Sequence, residues 1–248
     1  MIVLFTDFGY EGPYVGQMKG ILARQAPGVP IIDLMHDAPS FNPHAAAYLL
    51  TALVDPFPDQ AVFVCVVDPG VGHPDRRAVL LQADNRWFVG PDNGLFNNLI
   101  KLAEEVTAWE ITWRPDYLSD SFHGRDLFAP VAAQLALGQM PAAERLSVAD
   151  MLQVDWPSDR EEIIYIDHYG NAMTGIRADS LSSDQQILIG DQKLYYARTF
   201  SMAEKGRPFW YRNSAGLVEI ALYGDSVAER LDLCLGDKVA IQVLAAKA

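Results

Sequence analysis

The sequence predicts an α/β protein with an N-terminal, mainly parallel sheet flanked by helices and a smaller C-terminal β-barrel. Three observations lead there. Strand-like apolar runs alternate with helical spacings as far as Gly138, the pattern of a largely parallel sheet. One run, Ala61 to Val67, is apolar without a break, as expected of a strand covered on both faces. Beyond residue 158 the segments are short and β-like with Gly and Asn turns, which suits a small barrel or sandwich. The chain has 248 residues and half are hydrophobic, enough to bury one large core or two smaller ones. We divide it at residues 1–157 and 158–248.

Met1 to Thr6 reads as the first strand. Pro13 to Gln25 follows with Tyr14, Met18, Ile21 and Leu22 on one helical face. Val29 to Leu34 is a second strand. Asn42-Pro43 opens a helix, with Asn as N-cap and Pro in the first turn, and Ala45 to Leu53 form its apolar body. After the Ala61–Val67 strand, Ala78 to Ala83 and Trp87 to Val89 suggest a hairpin turning at Asp84-Asn85. Asn93 to Glu104 reads as a helix, Val106 to Ile111 as a weaker strand, and Leu127 to Leu137 as a helix ended by Gly138. Gln139 to Arg160, with Pro141 and Pro157, reads as an excursion and linker. Strand character returns at Glu162–Ile166, Gln186–Ile189, Lys193–Ala197, Phe209–Arg212, Leu217–Leu222 and Lys238–Val243, with one helix at Ser226–Leu231.

Composition narrows the function. The net charge of −13 argues against nucleic acid, whose phosphates need clustered Lys and Arg. Met1 to Phe5 lacks the charged start of a signal peptide, and Ala45 to Val54 is too short to span a bilayer. Cys65 and Cys234 are isolated, as in a reducing compartment. We therefore expect a soluble, cytoplasmic protein with no membrane partner. His36, Asp37, His44, Asp68 and His73 match no metal-ligand spacing, so no metal and no cofactor is expected. No P-loop, G-x-G-x-x-G, G-x-S-x-G or H-E-x-x-H occurs.

Four short polar motifs remain: Thr6-Asp7-Phe8-Gly9, Asp68-Pro69-Gly70-Val71-Gly72, Phe122-His123-Gly124-Arg125-Asp126 and Asp167-His168-Tyr169-Gly170-Asn171. Three follow apolar strand runs, where open α/β sheets build ligand sites. Asp7 could bind a ribose diol or cap the helix near Pro13. Asp68 ends the most hydrophobic strand, and a buried Asp needs a partner such as Arg76. The pair is either a structural lock on the turn or, with His123, a group that orients and deprotonates a water. Asp167 and Asn171 are either a turn or contacts to an ammonium and an adenine edge, and Asn213-Ser214-Ala215-Gly216 is similarly open.

Taken in order, these motifs, with Gly90-Pro91-Asp92-Asn93-Gly94 and Asn213 to Ala221, resemble the adenosine-forming S-adenosyl-L-methionine hydrolases. That family, also called SAM hydroxide adenosyltransferases, is related to the fluorinating and chlorinating enzymes. The resemblance runs from residue 6 to about residue 221. It implies an N-terminal α/β domain, a C-terminal β-barrel, and a homotrimer with S-adenosylmethionine between neighbouring subunits. It implies hydrolysis to adenosine and methionine, with halide-dependent 5′-halogenation or adenosine binding without turnover as alternatives. Asp68, Arg76 and His123 resemble the water-activating group, and Asp7 the ribose ligand. Phe41 resembles an aromatic flanking the substrate. Asp167 and Ser214 resemble residues holding the methionine end, Asn171 an adenine contact, and Tyr169 a ring stacked nearby. One extra residue in the turn, at His73-Pro74-Asp75, leaves Arg76 and Arg77 as the two arginines that fit the water-facing position. Asp68 stands where the halogenating relatives carry a tyrosine, and its carboxylate would repel a halide.

Overall fold

The computed structural model describes residues 1–242. They form two compact units, Met1–Trp156 and the residues from Pro157 on, each built around a sheet of seven strands.

In the first unit the strands are β1 (Ile2–Thr6), β2 (Ile31–Met35), β3 (Val62–Val66), β4 (Ala78–Ala83), β5 (Arg86–Pro91), β6 (Val106–Ile111) and β7 (Ala143–Leu146). Their order is β2-β1-β3-β5-β4-β6-β7. The helices are α1 (Tyr14–Gln25), α2 (Pro43–Leu53), α3 (Asn97–Leu102) and α4 (Ala129–Ala136). Pairing is parallel from β2 through β1 and β3 to β5, and antiparallel from β5 through β4 and β6 to β7. The sheet is therefore mixed, and the expected parallel character holds only for its first half. The cause is local. Asp84 and Asn85 both adopt positive φ, as a two-residue hairpin turn requires, so β4 folds straight back on β5 with no crossover helix.

Side-chain alternation sends β3 into two cores. Val62, Val64 and Val66 pack with Ile2, Leu4, Met18 and Leu22 on the α1 and α4 side. Phe63 points the other way and stacks on Phe88 with ring centroids 4.9 Å apart. Helix α2 starts as its sequence requires: the Asn42 side chain accepts a hydrogen bond from Ala45 N at 3.0 Å, with Pro43 just inside. Tyr14, expected on the buried face of α1, is exposed, while Met18 and Leu22 are buried. The supposed linker holds β7, which extends the sheet at β6.

The second unit contains β8 (Arg160–Ile166), β9 (Ala172–Arg177), β10 (Gln186–Ile189), β11 (Gln192–Tyr196), β12 (Phe209–Arg212), β13 (Leu217–Ala221), α5 (Val227–Leu231) and β14 (Val239–Gln242). Strand β9 has no counterpart in the sequence reading. Val243, the expected end of the last strand, lies outside the described residues. The order is β14-β10-β11-β12-β13-β9-β8. Ile163 N donates to Asp237 O at 2.9 Å and Glu162 bridges to Lys238, so the two end strands meet and the sheet is nearly barrel-like.

Candidate active site

The chain leaves β1 for β2 on one side and returns to β3 on the other. The crevice between β1 and β3 is thus where an open α/β sheet receives ligands. Asp7 directly follows β1, and Asp68 comes two residues after β3. Asp7 N still donates to Val66 O at 3.3 Å, so the two strand ends stay joined at the point where the carboxylates emerge.

Asp68 has a side chain only 2 % exposed. Its Oδ1 accepts from Gly70 N at 3.1 Å and lies 3.4 Å from Arg76 Nε. Oδ2 is buried and, among the described residues, has no hydrogen-bond partner. A buried carboxylate oxygen left open is costly, so it marks a place for a ligand or water. Arg76 is anchored by donation from a terminal guanidinium nitrogen to Asp92 O at 3.0 Å. Arg77 turns the other way, its Nε donating to Asp92 Oδ2 at 2.8 Å. Of the two arginines, Arg76 is the one beside Asp68. Gly70 makes room for it, because a Cβ there would stand 2.7 Å from an Arg76 terminal nitrogen. Gly72, at φ +82°, is pressed against the Asp120 carbonyl, which ties this turn to the segment before His123.

His123 immediately precedes a π-helical turn, Gly124–Phe128, that runs into α4. Such turns often occur at functional positions. His123 and Asp68 both line a cavity of about 400 Å³, whose walls include Phe8, Tyr14, Phe122 and Arg125. Burial lowers the His123 pKa below 6.5. Asp68, Asp120 and Asp126 pull it up, Arg114 pulls it down, and burial prevails.

Asp7, directly after β1, lies within electrostatic reach of Asp68. Burial raises its pKa, with Asp68 adding to the rise and the Phe41 N–H opposing it. Phe41 N donates to Asp7 Oδ2 at 3.0 Å. The Phe41 ring is 78 % exposed, and its backbone sits at φ +57°, unusual for an aromatic residue. An exposed ring held in a strained backbone is a feature of binding loops.

Asp167, Tyr169, Asn171 and Ser214 belong to the second unit. Asp167 closes its own turn: Oδ1 accepts from Tyr169 N at 2.8 Å and Asn171 N at 2.9 Å, and Oδ2 from Asn171 Nδ2 at 2.9 Å. Asn171 is buried, whereas Tyr169 is 76 % exposed. Ser214 is exposed in the turn before β13, which Asn213 braces by accepting from Ala215 N and Leu217 N. Beneath it lies a group that sequence reading missed. Buried Glu219 accepts from Tyr211 Oη and, at 2.8 Å, from Asn213 Nδ2. Burial raises the Glu219 pKa, assisted by Asp167 and opposed by its two donors. The signal was a lone charge, Glu219, inside the apolar run Leu217 to Ala221. Among the described residues, no three His, Cys, Asp or Glu side chains gather as a metal site, and His44 instead stacks on Trp156.

Residues 2–145 match the SAM hydroxide adenosyltransferase N-terminal domain, and residues 161–240 match the corresponding C-terminal domain. The chain belongs to the SAM hydroxide adenosyltransferase family. A relative from Thermus thermophilus, named (R)-S-adenosyl-L-methionine hydrolase, is 36 % identical over 94 % of this chain and 95 % of its own. A crystal structure of an uncharacterized conserved protein from Thermotoga maritima superposes with a TM-score of 0.86 at 32 % identity, covering 97 % of this chain and 99 % of that one. A fluorinase from Nocardia brasiliensis is more distant, at 23 % identity over 98 % of this chain and 97 % of its own. Family membership matches the resemblance drawn from the ordered motifs.

Proposed function

We propose that the protein hydrolyses S-adenosylmethionine to adenosine and methionine by attack of a water on the ribose C5′. The observation that carries the proposal is the open, buried Oδ2 of Asp68 beside Arg76, on a cavity shared with His123. Full-length relatives named as hydrolases support it. The water oxygen bonds to C5′, the C5′–S electron pair passes to sulfur, and methionine leaves as a neutral thioether that needs no general acid. What remains is to hold the water in line with the C–S bond, about 3–3.5 Å from carbon, and remove its proton. Asp68 Oδ2 orients the water and Arg76 stabilises developing hydroxide. His123, kept neutral by burial, accepts the proton.

Asp7 binds the ribose diol and Phe41 flanks the substrate. Asp167 and Ser214 hold the methionine end, Asn171 contacts adenine, and Tyr169 stacks nearby. Asp167 retains one Oδ2 lone pair for an ammonium after closing its turn. The substrate lies between neighbouring subunits of a homotrimer, which suits two highly exposed aromatic rings on separate units. Its sulfonium has the R configuration named for the relatives. A fixed carboxylate at residue 68 opposes a halide, so water is the nucleophile.

Incubation with each separated sulfonium epimer, followed by chromatography, tests this reading. Adenosine should form faster from the R epimer. No adenosine from either would leave a nucleoside-binding protein, and 5′-halo-5′-deoxyadenosine on adding halide would identify a halogenase.

A further inference from the structure

His36 is buried to 1 % exposure, and the chemistry above does not use it. It follows β2 directly. Its Nδ1 lies 2.8 Å from Thr6 Oγ1, and its Nε2 makes a bent contact with Asp33 Oδ1 at 3.1 Å. Asp33 Oδ2 accepts from Lys19 Nζ at 2.8 Å, and Thr6 Oγ1 accepts from Phe8 N at 3.3 Å. Lys19 donates to Asp33, Thr6 O–H can donate to His36 Nδ1, and Phe8 N–H donates to Thr6, while His36 Nε2 meets Asp33 as a close polar contact.

The backbone reinforces the chain of contacts. Gly9 N donates to His36 O at 2.6 Å, and Ala38 N donates to Thr6 O at 3.1 Å. The edge of the Tyr10 ring meets the imidazole, with ring centroids 5.5 Å apart. His36 therefore joins the loop after β1, which carries Asp7, to the loop after β2, which carries Phe41. Those two residues meet in the hydrogen bond from Phe41 N to Asp7 Oδ2. Without the link the loops are joined by fewer bonds, and the left-handed backbone at Phe41 would be free to relax.

We propose that His36 is a positioning residue for the ribose end of the site. Through Thr6 and the loop backbone it holds Asp7 at the angle that accepts the diol. This rests on the reading of Asp7 as the ribose ligand. Its burial at the end of β2 sets it apart from a solvated loop histidine.

Affinities for adenosine and 2′-deoxyadenosine, measured by calorimetry on the full-length protein, test the proposal. A merely structural histidine would lower the melting temperature and leave the ratio of the two affinities alone. Wild type should prefer adenosine by about tenfold, the scale of one hydrogen bond to a charged group. Asp7→Ala should abolish that preference, and His36→Gln should reduce it to about threefold or less. If His36→Gln keeps the full preference while Asp7→Ala loses it, the inference fails and the reading of Asp7 stands. If wild type shows no preference, both fail. Should His36→Gln not fold, Asp33→Asn carries the same test with the same outcomes, because it alters only a partly exposed partner.

Discussion

At Asp68 a single oxygen separates a structural ion pair from a catalytic group. One oxygen serves the turn and Arg76, and the other is buried and open. Asp68→Asn keeps the shape but removes the charge, so kcat should fall by about 10²–10⁴-fold with little change in melting temperature. Retained activity would return Asp68 to a structural role. His123 sets the acid limb. Its pKa lies below 6.5 and the neutral ring accepts the proton, so kcat/KM should hold steady above pH 6.5 and decline as pH falls through the lowered value. His123→Asn should erase that limb along with most of the rate. Glu219 acts on stability instead. Its folded pKa is raised above 4.5, so the folded state binds this proton more tightly than the unfolded chain. The resulting stabilisation is complete below pH 4.5 and is lost as pH rises through the folded value. Glu219→Gln keeps an oxygen acceptor and cannot ionise. Its urea stability should therefore gain on wild type as pH rises above 4.5. Parallel curves would refute this account of Glu219.

The turn after β3 acts as one element. Gly70 leaves space for the Arg76 guanidinium, and the neighbour is the mobile end of a side chain rather than backbone. Gly70→Ala should therefore displace Arg76 while sparing the fold. We expect kcat to fall by up to about 10²-fold with a melting temperature near wild type, checked by kinetics and thermal denaturation of one preparation. At this scale the sequence was most legible where chemistry is local. Asn42-Pro43 announced α2, and Asp84-Asn85 announced the β4–β5 hairpin. Where long-range pairing decides, it was silent. Strand β7 is short, with exposed Glu144 and Arg145 at its centre, and only its register with β6 makes it a strand. Strand β9 was hidden because Gly175 interrupts it, and its pairing with β8 and β13 supplies what local propensity lacks. For Asp68 and His123, sequence supplied the residues and only the fold brought both to one cavity.

At the scale of the whole molecule, the homotrimer proposal makes a strict demand. An Asp68→Ala subunit and an Asn171→Ala subunit, each inactive alone, should regain activity when co-assembled, because some interfaces then combine two intact halves. Activity that stays absent in verified mixed trimers would place each site within one chain. The central claim is that water itself attacks C5′. Single turnover with excess enzyme in ¹⁸O-water, read by mass spectrometry, tests it most directly. Direct attack places ¹⁸O in the 5′-hydroxyl of adenosine. Unlabelled adenosine with ¹⁸O on the Asp68 carboxylate would mean that Asp68 had attacked carbon first, and would contradict the account.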